Sequence, residues 1–391
     1  MWKVLLKTIP VSLKRDMGTY LLMGILVAVG MYIASAFAGI SYSYSMGCEE
    51  NYRISNAEDG QFQVTEPLSE KEEQTITQKG YMLERTFFFD IVMEDGSVLR
   101  VMKTRDKIDL IVLDEGTLPQ SDAEAVMEKC YAYHHALNVS DTVSLDKMNV
   151  RISGIGSVTD YEAPSYGMSD FSSNSKIFGL VFVTGDFYQE LLDRVGNDTR
   201  ENYIYAYKLA EGASDEDLRK LLVDDLGMLS RLMTFVPEIN NGRMSCAKND
   251  NAPYGVASMI ACIGLLALIS MVFFLRIQFA LDKQSPSIGA LLALGVNKRD
   301  IFPVLLLPFA IVAVAGGIVG FIFSRIFTLE TVAGSEGYYS VPHIPMITHP
   351  LIFLYCVIMP PVVCTAINLF LIRKKLSGIW NVTGTARINR Y

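Results

Sequence analysis

Four long apolar runs dominate the pattern of hydrophobic and polar positions along the chain. Residues Met17–Cys48 and Gly255–Leu275 contain no Asp, Glu, Lys or Arg, and neither do Ile301–Ser324 and Tyr338–Ile372. A helix that crosses a bilayer needs about 20 predominantly apolar residues, and each run reaches that length. Four buried helices of a soluble protein would be unusually long, so the pattern predicts four transmembrane helices. The first run also exceeds the apolar core of a signal peptide, so we expect an uncleaved span.

Three helix starts are predicted in the block between the first and second runs. At each one a serine precedes an acid by three residues, the spacing that lets both side chains bond free N–H groups at a helix start. The pairs are Ser69 with Glu72, Ser121 with Glu124, and Ser214 with Asp217. We expect the first of these helices to end at Gly80 and the third at Gly227.

Strands are predicted between these helices. Asp95-Gly96 predicts a hairpin turn between Phe87–Met93 and Ser97–Lys103. Other runs rich in β-branched and aromatic residues are Arg151–Val158, Phe178–Thr184 and Asn202–Leu209. The Ser-, Gly- and Tyr-rich stretch 160–175 is expected to be a mobile loop. The predicted fold class is a membrane protein with four transmembrane α-helices, one and then three, and a mixed α/β extracytoplasmic domain inserted between helices 1 and 2.

The charges are distributed unevenly and predict the orientation. Residues 49–253 hold 37 acids and 20 bases, a net charge of −17, whereas the rest of the chain is +9. Basic residues mark the cytoplasmic side of a span. They cluster before the first run, between the second and third, and after the fourth: Lys3, Lys7, Lys14, Arg15; Arg276, Lys283, Lys298, Arg299; Arg373, Lys374, Lys375, Arg387, Arg390. We therefore expect a multi-pass protein of the plasma membrane with both termini in the cytoplasm.

These observations divide the chain into nine predicted segments. Spans, cytoplasmic segments and extracytoplasmic segments alternate along it. The boundaries are 1–18 cytoplasmic, 19–46 transmembrane helix 1, 47–254 extracytoplasmic domain, 255–281 transmembrane helix 2, 282–300 cytoplasmic helix, 301–324 transmembrane helix 3, 325–348 extracytoplasmic loop, 349–373 transmembrane helix 4 and 374–391 cytoplasmic tail.

The sequence contains no recognisable catalytic or metal-binding motif. It lacks the G-x-x-x-x-G-K-[ST] phosphate loop and the H-E-x-x-H motif. Cys130 and His134 have the spacing of two ligands on one helix face, but two ligands are too few for a metal site. We therefore expect no enzymatic activity, no catalytic or metal-ligating residue and no cofactor in this chain. Nothing predicts a nucleic-acid partner.

One pair of cysteines flanks the inserted block. Cys48 follows the first span and Cys246 precedes the second. If the two spans leave the membrane side by side, these residues could form a disulfide, which requires Cα atoms about 4.4–6.8 Å apart. Two free thiols on loose linkers are the alternative.

The segment Asp282–Asp300 carries a short apolar helix pattern on the basic side of the membrane. Pro286 can start the helix, and the apolar positions then recur at i, i+3, i+4 and i+7. The residues of this predicted contact surface are Ile288, Gly289, Leu291, Leu292, Leu294 and Gly295. Such a helix has no core of its own, so it either lies on lipid headgroups or docks in the groove of a partner.

This segment, SIGALLALGVNKRD at 287–300, and the proline-containing span with Gly316-Gly317 and Gly320 resemble the FtsX-like permease module of MacB-like (type VII) ABC transporters. The order of one span, a large domain and three spans is similar to the MacB-like layout. In the inserted block, DGQFQVTEPLSEKE and RISGIGSV are similar to outer domains of Gram-positive permeases. The chain differs at Ser287, where the family usually has an acid, and it carries one module where many Gram-positive relatives carry two.

The resemblance implies a mechanism and partners. A separate cytoplasmic ATPase would bind ATP and contact the helix at 286–296, and a second permease subunit, identical or related, would complete the complex in the lipid bilayer. The motion would then export or extract a peptide, lipid or lipoprotein. Alternatively, the same motion would activate an extracytoplasmic partner such as a cell-wall hydrolase, without transport.

The predicted topology can be tested by thiol labelling of intact cells. A membrane-impermeant reagent should label a cysteine introduced at Ser173 and should fail to label one at Ser285 or Thr385, because only the first lies outside. The same three variants labelled after permeabilisation control for reactivity. Labelling of Ser285→Cys in intact cells would contradict the topology.

Overall fold

The computed structural model describes most of the chain and divides it into two units. The described residues are 14, 16–167, 170, 173–196, 199–293, 298–335, 337–370 and 373, with the backbone alone for 284–293 and 298–305. The membrane unit contains residues up to Tyr42, Ala252–Thr331 and the chain from Met346. The inserted domain contains Ser43–Asn251 and Val332–Pro345.

Helices and strands alternate in the inserted domain, whereas the membrane unit is helical. The helices are α1 Met17–Ile54, α2 Glu70–Gln78, α3 Lys129–His134, α4 Gly185–Val195, α5 Asp215–Lys220, α6 Cys246–Ala293, α7 Lys298–Gly334 and α8 Pro350–Phe370. The strands are β1 Gly60–Val64, β2 Met82–Arg85, β3 Phe88–Val92, β4 Val98–Lys103, β5 Val112–Gly116, β6 Glu124–Glu128, β7 Thr142–Leu145, β8 Met148–Ser157, β9 Phe178–Val183, β10 Tyr203–Lys208 and β11 Leu232–Pro237.

Among the described residues, α1, α6, α7 and α8 are long and apolar enough to cross a membrane. The predicted four-span architecture, one span and then three, is confirmed. Three of the helices are longer than the predicted spans, because α1 continues to Ile54, α6 begins at Cys246 and α7 continues to Gly334. Charged residues end an apolar run but do not end a helix, and Glu50 and Arg53 form an i,i+3 ion pair on the last turns of α1.

Glycines on α7 allow close packing of the membrane helices. A Cβ atom on Gly316 would lie 2.7 Å from the Gly24 carbonyl oxygen of α1, and one on Gly320 would lie 2.4 Å from the Ala28 carbonyl oxygen. Small residues four apart are a common way to bring membrane helices together, because van der Waals contact rather than hydrophobic burial drives their association. Gly317 faces α8 in the same way, at Cys356.

Polar groups also join α1 to α7 inside the membrane unit. Arg325 donates from Nη2 to the Ser35 carbonyl oxygen at 2.7 Å and to its hydroxyl at 2.9 Å. Ser324 donates to the same Ser35 hydroxyl at 2.8 Å. These bonds place the Arg325 guanidinium against the backbone of α1.

The inserted domain is built on two sheets. The seven-stranded sheet has the order β3-β4-β9-β6-β8-β5, with β7 paired to β8. Its β4–β9 and β6–β8 pairs are parallel and the others are antiparallel. The four-stranded sheet is antiparallel, with the order β11-β1-β10-β2. The predicted mixed α/β domain between helices 1 and 2 is therefore confirmed.

Side-chain alternation places the cores of the seven-stranded sheet. Neighbouring Phe88 and Phe89 point to opposite faces of β3, and each belongs to a different buried cluster. One cluster lies under α3 and α4, with Tyr131 and Tyr188 in it. The central strand β9 is buried along its whole length, as expected for a strand covered on both faces.

Several local predictions are confirmed. β3 and β4 form the hairpin, with Gly96 at a φ of +84° that suits glycine. Ser69 with Glu72 and Ser214 with Asp217 form reciprocal capping boxes at α2 and α5. The strands predicted at 151–158, 178–184 and 202–209 correspond to β8, β9 and β10.

The helix predicted at Ser121 is wrong. Glu124 instead begins β6, which lies between β8 and β9 in the seven-stranded sheet. The Glu124 carboxylate accepts a hydrogen bond from the Gln120 backbone N–H at 2.9 Å and pairs with Arg151. Burial of Ala125–Met127 between two strands therefore outweighs the local capping signal.

Candidate functional site

Part of the predicted cytoplasmic segment 282–300, which the resemblance assigns to ATPase contact, forms the end of α6, as residues 282–293. We expected Pro286 to start a separate helix, but α6 runs through Pro286 to Ala293. Proline removes one backbone hydrogen bond and can be accommodated in a helix that bends there. Ile288, Gly289, Leu291 and Leu292 lie on the last turns of α6, whereas Leu294 and Gly295 lie outside the described residues. The i, i+3, i+4 spacing of Ile288, Leu291 and Leu292 puts them on one face of this helix.

At the other ends of the long helices, the inserted domain contains a buried group of charges. We call Glu58, Arg105, Asp109 and Asp160 the acid–arginine group. Arg105 donates to both carboxylate oxygens of Asp160, at 2.7 and 2.9 Å, and lies 3.8 Å from an Asp109 oxygen. The side chains of Arg105, Asp109 and Asp160 are at most 2% exposed.

The group collects hydrogen bonds from several parts of the inserted domain. The Glu58 backbone N–H donates to Asp109 Oδ1 at 3.0 Å, and the Thr159 hydroxyl donates to the same oxygen at 2.5 Å. Asn241 Nδ2 donates to Glu58 Oε1 at 3.1 Å. Glu58 follows the end of α1, and Asn241 precedes the start of α6. The group therefore joins the segments next to both helix ends to the β4–β5 connection.

Three carboxyls share one guanidinium, so their full ionisation is unfavourable. Burial, followed by repulsion from Asp160, raises the pKa of Asp109 to about 7. Burial and the neighbouring Asp109 and Asp160 raise the pKa of Glu58 well above its usual value. These are the directions expected when charges leave water and meet like charges.

A second buried carboxyl lies at the start of α6. Glu162 accepts a hydrogen bond from the Ala247 backbone N–H at 3.2 Å, where the helix dipole favours a negative charge. Burial raises the pKa of Glu162 to about 7. The residue after Ala247, Lys248, pairs with Glu49 of α1 at 3.0 Å. The last turns of α1 and the first turn of α6 are thus tied together within the inserted domain.

The segment between β8 and Glu162 is held by two arginines. Asp160 bonds Arg105, and the Tyr161 hydroxyl accepts from Arg100 at 2.8 Å. Arg100 also pairs with Asp90 and stacks 3.8 Å from the Phe88 ring centroid. The first residues of the stretch that we expected to be a mobile loop are therefore buried and bonded. Their acids gave no sequence signal, because their partners lie far away in the chain.

The cysteines and histidines of the inserted domain have separate partners. Cys48 and Cys246 are free thiols in this structure. The disulfide between them stays a prediction. Cys130 is buried at the start of α3, whereas His134 Nε2 contacts the Gly337 carbonyl oxygen at 2.9 Å. Among the described residues no group of three or more His, Cys, Asp or Glu side chains has the arrangement of a metal site.

Comparison with known families gives one match. Residues 259–377 match the family model described as FtsX-like permease C-terminal. The matched range begins within α6 and includes α7 and α8. A search of curated proteins found no match. The family match agrees with the resemblance at 287–300 and with the order of the spans.

The buried carboxyls predict a pH-dependent stability. The pKa of Asp109 is about 7 in the folded chain and about 3.9 in an unfolded one, so the folded state binds the proton more tightly. This contribution to stability is complete below about pH 4 and is lost as the pH rises through about 7. Glu162 and Glu58 act in the same direction. We therefore expect the unfolding temperature of the full chain in detergent to decrease as the pH is raised from 5 to 8.

The Asp109→Asn variant tests this pH dependence. Asparagine keeps the acceptor for Glu58 and Thr159 but cannot ionise. The decrease of the unfolding temperature with rising pH should therefore become smaller. Asp225→Asn, at an exposed ion pair with Lys79, is the matched control and should follow the wild type. An unchanged pH profile for Asp109→Asn would refute the assignment.

Proposed function

We propose that this chain, whose residues 259–377 match the FtsX-like permease C-terminal family model, is an ABC-type permease that couples ATP hydrolysis by a separate cytoplasmic ATPase to movement of the inserted domain. That movement exports or extracts a peptide- or lipid-like substrate on the outer side of the plasma membrane. The observation that supports this proposal most strongly is the continuity of α6. Its first turn belongs to the inserted domain, and its last turns carry the apolar segment with Ile288, Leu291 and Leu292.

The lengths of the helices support transmission across the membrane. α6 has 48 residues and α1 has 38, which correspond to about 72 and 57 Å at 1.5 Å per residue. The hydrocarbon core of a bilayer is about 30 Å thick. Both helices are therefore longer than a single crossing needs, and the excess of α1 lies in the inserted domain, as residues 43–54.

The inserted-domain ends of the two helices are fixed by buried contacts rather than by flexible linkers. The acid–arginine group holds the segments next to α1 and α6, and Glu162 holds the first turn of α6. A typical intramolecular hydrogen bond contributes about 0.5–1.5 kcal/mol, and several act together here. A displacement of either helix at the cytoplasmic face would therefore carry these segments with it.

The spans themselves offer little that would guide a charged solute. The sequence from Met17 to Cys48 and that from Gly255 to Leu275 contain no ionisable acid or base, and Ile301–Ser324 contains none either. Intramembrane ion paths depend on such residues. This supports a substrate that is handled by the inserted domain.

The coupling requires two states with different affinities for the ATPase. A ligand shifts an equilibrium only by the difference between its affinities for the two states. We propose that a second permease subunit, identical or related, pairs with this one, so that closure of two ATPases moves two α6 ends together.

Substitution of the α6 segment tests the proposal. Burial of one leucine is worth about 1.5–3 kcal/mol, so Leu291→Asp and Leu292→Asp should weaken association with the ATPase tenfold or more. Gly289→Trp should do the same by steric exclusion. The measurement is recovery of the co-expressed ATPase with the tagged, membrane-inserted chain.

Leu275→Asp is not a suitable control, because it lies within the span. Thr385→Asp, in the predicted cytoplasmic tail, adds the same charge on the same side and should leave recovery unchanged. Undiminished recovery of the ATPase with both leucine variants would defeat the coupling assignment. A cell-wall hydrolase recovered with the wild-type complex would favour the regulatory alternative.

A further inference from the structure

The connection between α7 and α8 is bound into the inserted domain along most of its length. We call Val332–Pro345 the strap; Glu336 within it lies outside the described residues. The strap has no strand or helix after Gly334, yet Tyr339, Ser340, Val341 and Ile344 are all buried. A surface loop is normally solvated, so this burial requires specific partners.

The strap contacts the same helix ends that the acid–arginine group holds. The Tyr339 hydroxyl donates to Asp250 of α6 at 2.9 Å, and its ring packs edge-on against Tyr44 of α1, with centroids 6.0 Å apart. Tyr44 also donates a hydrogen bond to Ser335. A Cβ atom on Gly47 of α1 would lie 2.8 Å from Ile344, so the strap lies directly on this helix.

The strap also contacts the seven-stranded sheet and α3. The Ser340 backbone N–H donates to the Glu162 carbonyl oxygen at 2.7 Å, and the His343 N–H donates to Asp114 Oδ1 at 3.0 Å. Lys129 donates to the Val341 carbonyl oxygen at 3.1 Å while it pairs with Asp114 at 2.8 Å. Backbone groups of the strap therefore have partners that an unanchored loop would find in water.

The two ends of the strap differ in length. At the α7 end, the helix ends at Gly334, and the next residue, Ser335, accepts the hydrogen bond from Tyr44 of α1. At the α8 end, residues 345–349 lie between Ile344 and the start of the helix at Pro350. Five non-helical residues span at most about 16–18 Å when fully extended, whereas the α7 end has no non-helical residue before its first contact at Ser335.

We propose that the strap makes α7 a third connection to the inserted domain, so that displacement of α7 is transmitted through Ser335 and Tyr339 to the ends of α1 and α6. The α8 end of the strap transmits less of it, because the non-helical residues 345–349 separate the strap from α8. This inference rests on the proposed function, since it concerns how the ATPase-driven movement reaches the inserted domain.

Insertion of three glycines at either end of the strap tests the inference. Between Gly334 and Ser335 they add about 10 Å of flexible chain to the end that has no non-helical residue before its first contact. The matched control has the same three glycines after Met346, where they lengthen the end that already contains non-helical residues. Both proteins are reconstituted with the co-expressed ATPase in lipid nanodiscs. Hydrogen exchange of inserted-domain peptides is then measured with and without a non-hydrolysable ATP analogue.

We expect the nucleotide-induced change in exchange at residues 43–58 and 332–345 to fall at least twofold in the Gly334 insertion and to match the wild type in the Met346 insertion. A second, milder pair of variants removes one hydroxyl each: Tyr339→Phe is the test, and Tyr338→Phe at the adjacent position is its control. Only the first should speed exchange of the strap, by about tenfold for the loss of one hydrogen bond to a charged group.

An unchanged nucleotide response in the Gly334 insertion, or equal loss in both insertions, would overturn the inference and leave the proposed function standing. Strap exchange unaffected by Tyr339→Phe would also overturn it, because Tyr339 would then not anchor the strap. If the wild-type complex binds the analogue and shows no response in the inserted domain, the proposed function fails, and this inference fails with it.

Discussion

A single buried guanidinium, Arg105, is the constraint on which the arrangement of the inserted domain depends. It lies in the β4–β5 connection with 1% of its side chain exposed, so Asp160 and Asp109 must supply its counter-charge. Asp109 in turn accepts from the Glu58 backbone just after α1, and Glu58 accepts from Asn241 just before α6. Buried pairs of this kind contribute more to where segments must lie than to net stability.

This constraint bears on the proposed transmission of movement from the membrane helices to the inserted domain. Both α1 and α6 enter the inserted domain as unbroken helices and meet buried partners there. Glu162 bonds the first turn of α6 with its side chain and the strap with its carbonyl oxygen. Glu162 therefore contacts both α6 and the strap that follows α7. The four-stranded sheet has a core of its own.

The membrane architecture was predictable from sequence because bilayer spans require long apolar runs. The capping boxes at Ser69 and Ser214 and the hairpin at Gly96 were predictable because their signals are local. The helix expected at Ser121 failed because burial of β6 depends on strands that are remote in sequence. The full lengths of α1, α6 and α7 could not be predicted for a different reason, since an apolar run reports bilayer thickness rather than helix length.

The candidate functional elements divide in the same way. Ile288, Leu291 and Leu292 are candidates because of their spacing, and their contact with an ATPase stays a prediction. That they share one helix with the anchor at Ala247 could not be foreseen, because Pro286 is a common start signal. Asp160 and Glu162 were overlooked because a polar, Ser- and Tyr-rich stretch favours a loop, and because their partners Arg105 and Ala247 are 55 and 85 residues away.

Hydrogen exchange of the full chain with Arg105→Met tests the central claim most directly, that one buried group fixes both helix ends. Removal of one partner from a buried charge group costs about 3–5 kcal/mol, so exchange should rise more than 100-fold. The account predicts this rise at residues 51–60 and 238–247 together, with peptides of α7 and α8 unchanged. Arg85→Met, at the half-exposed pair with Glu73, serves as the control. A rise confined to the β4–β5 connection, with both helix ends as protected as in the wild type, would contradict the account.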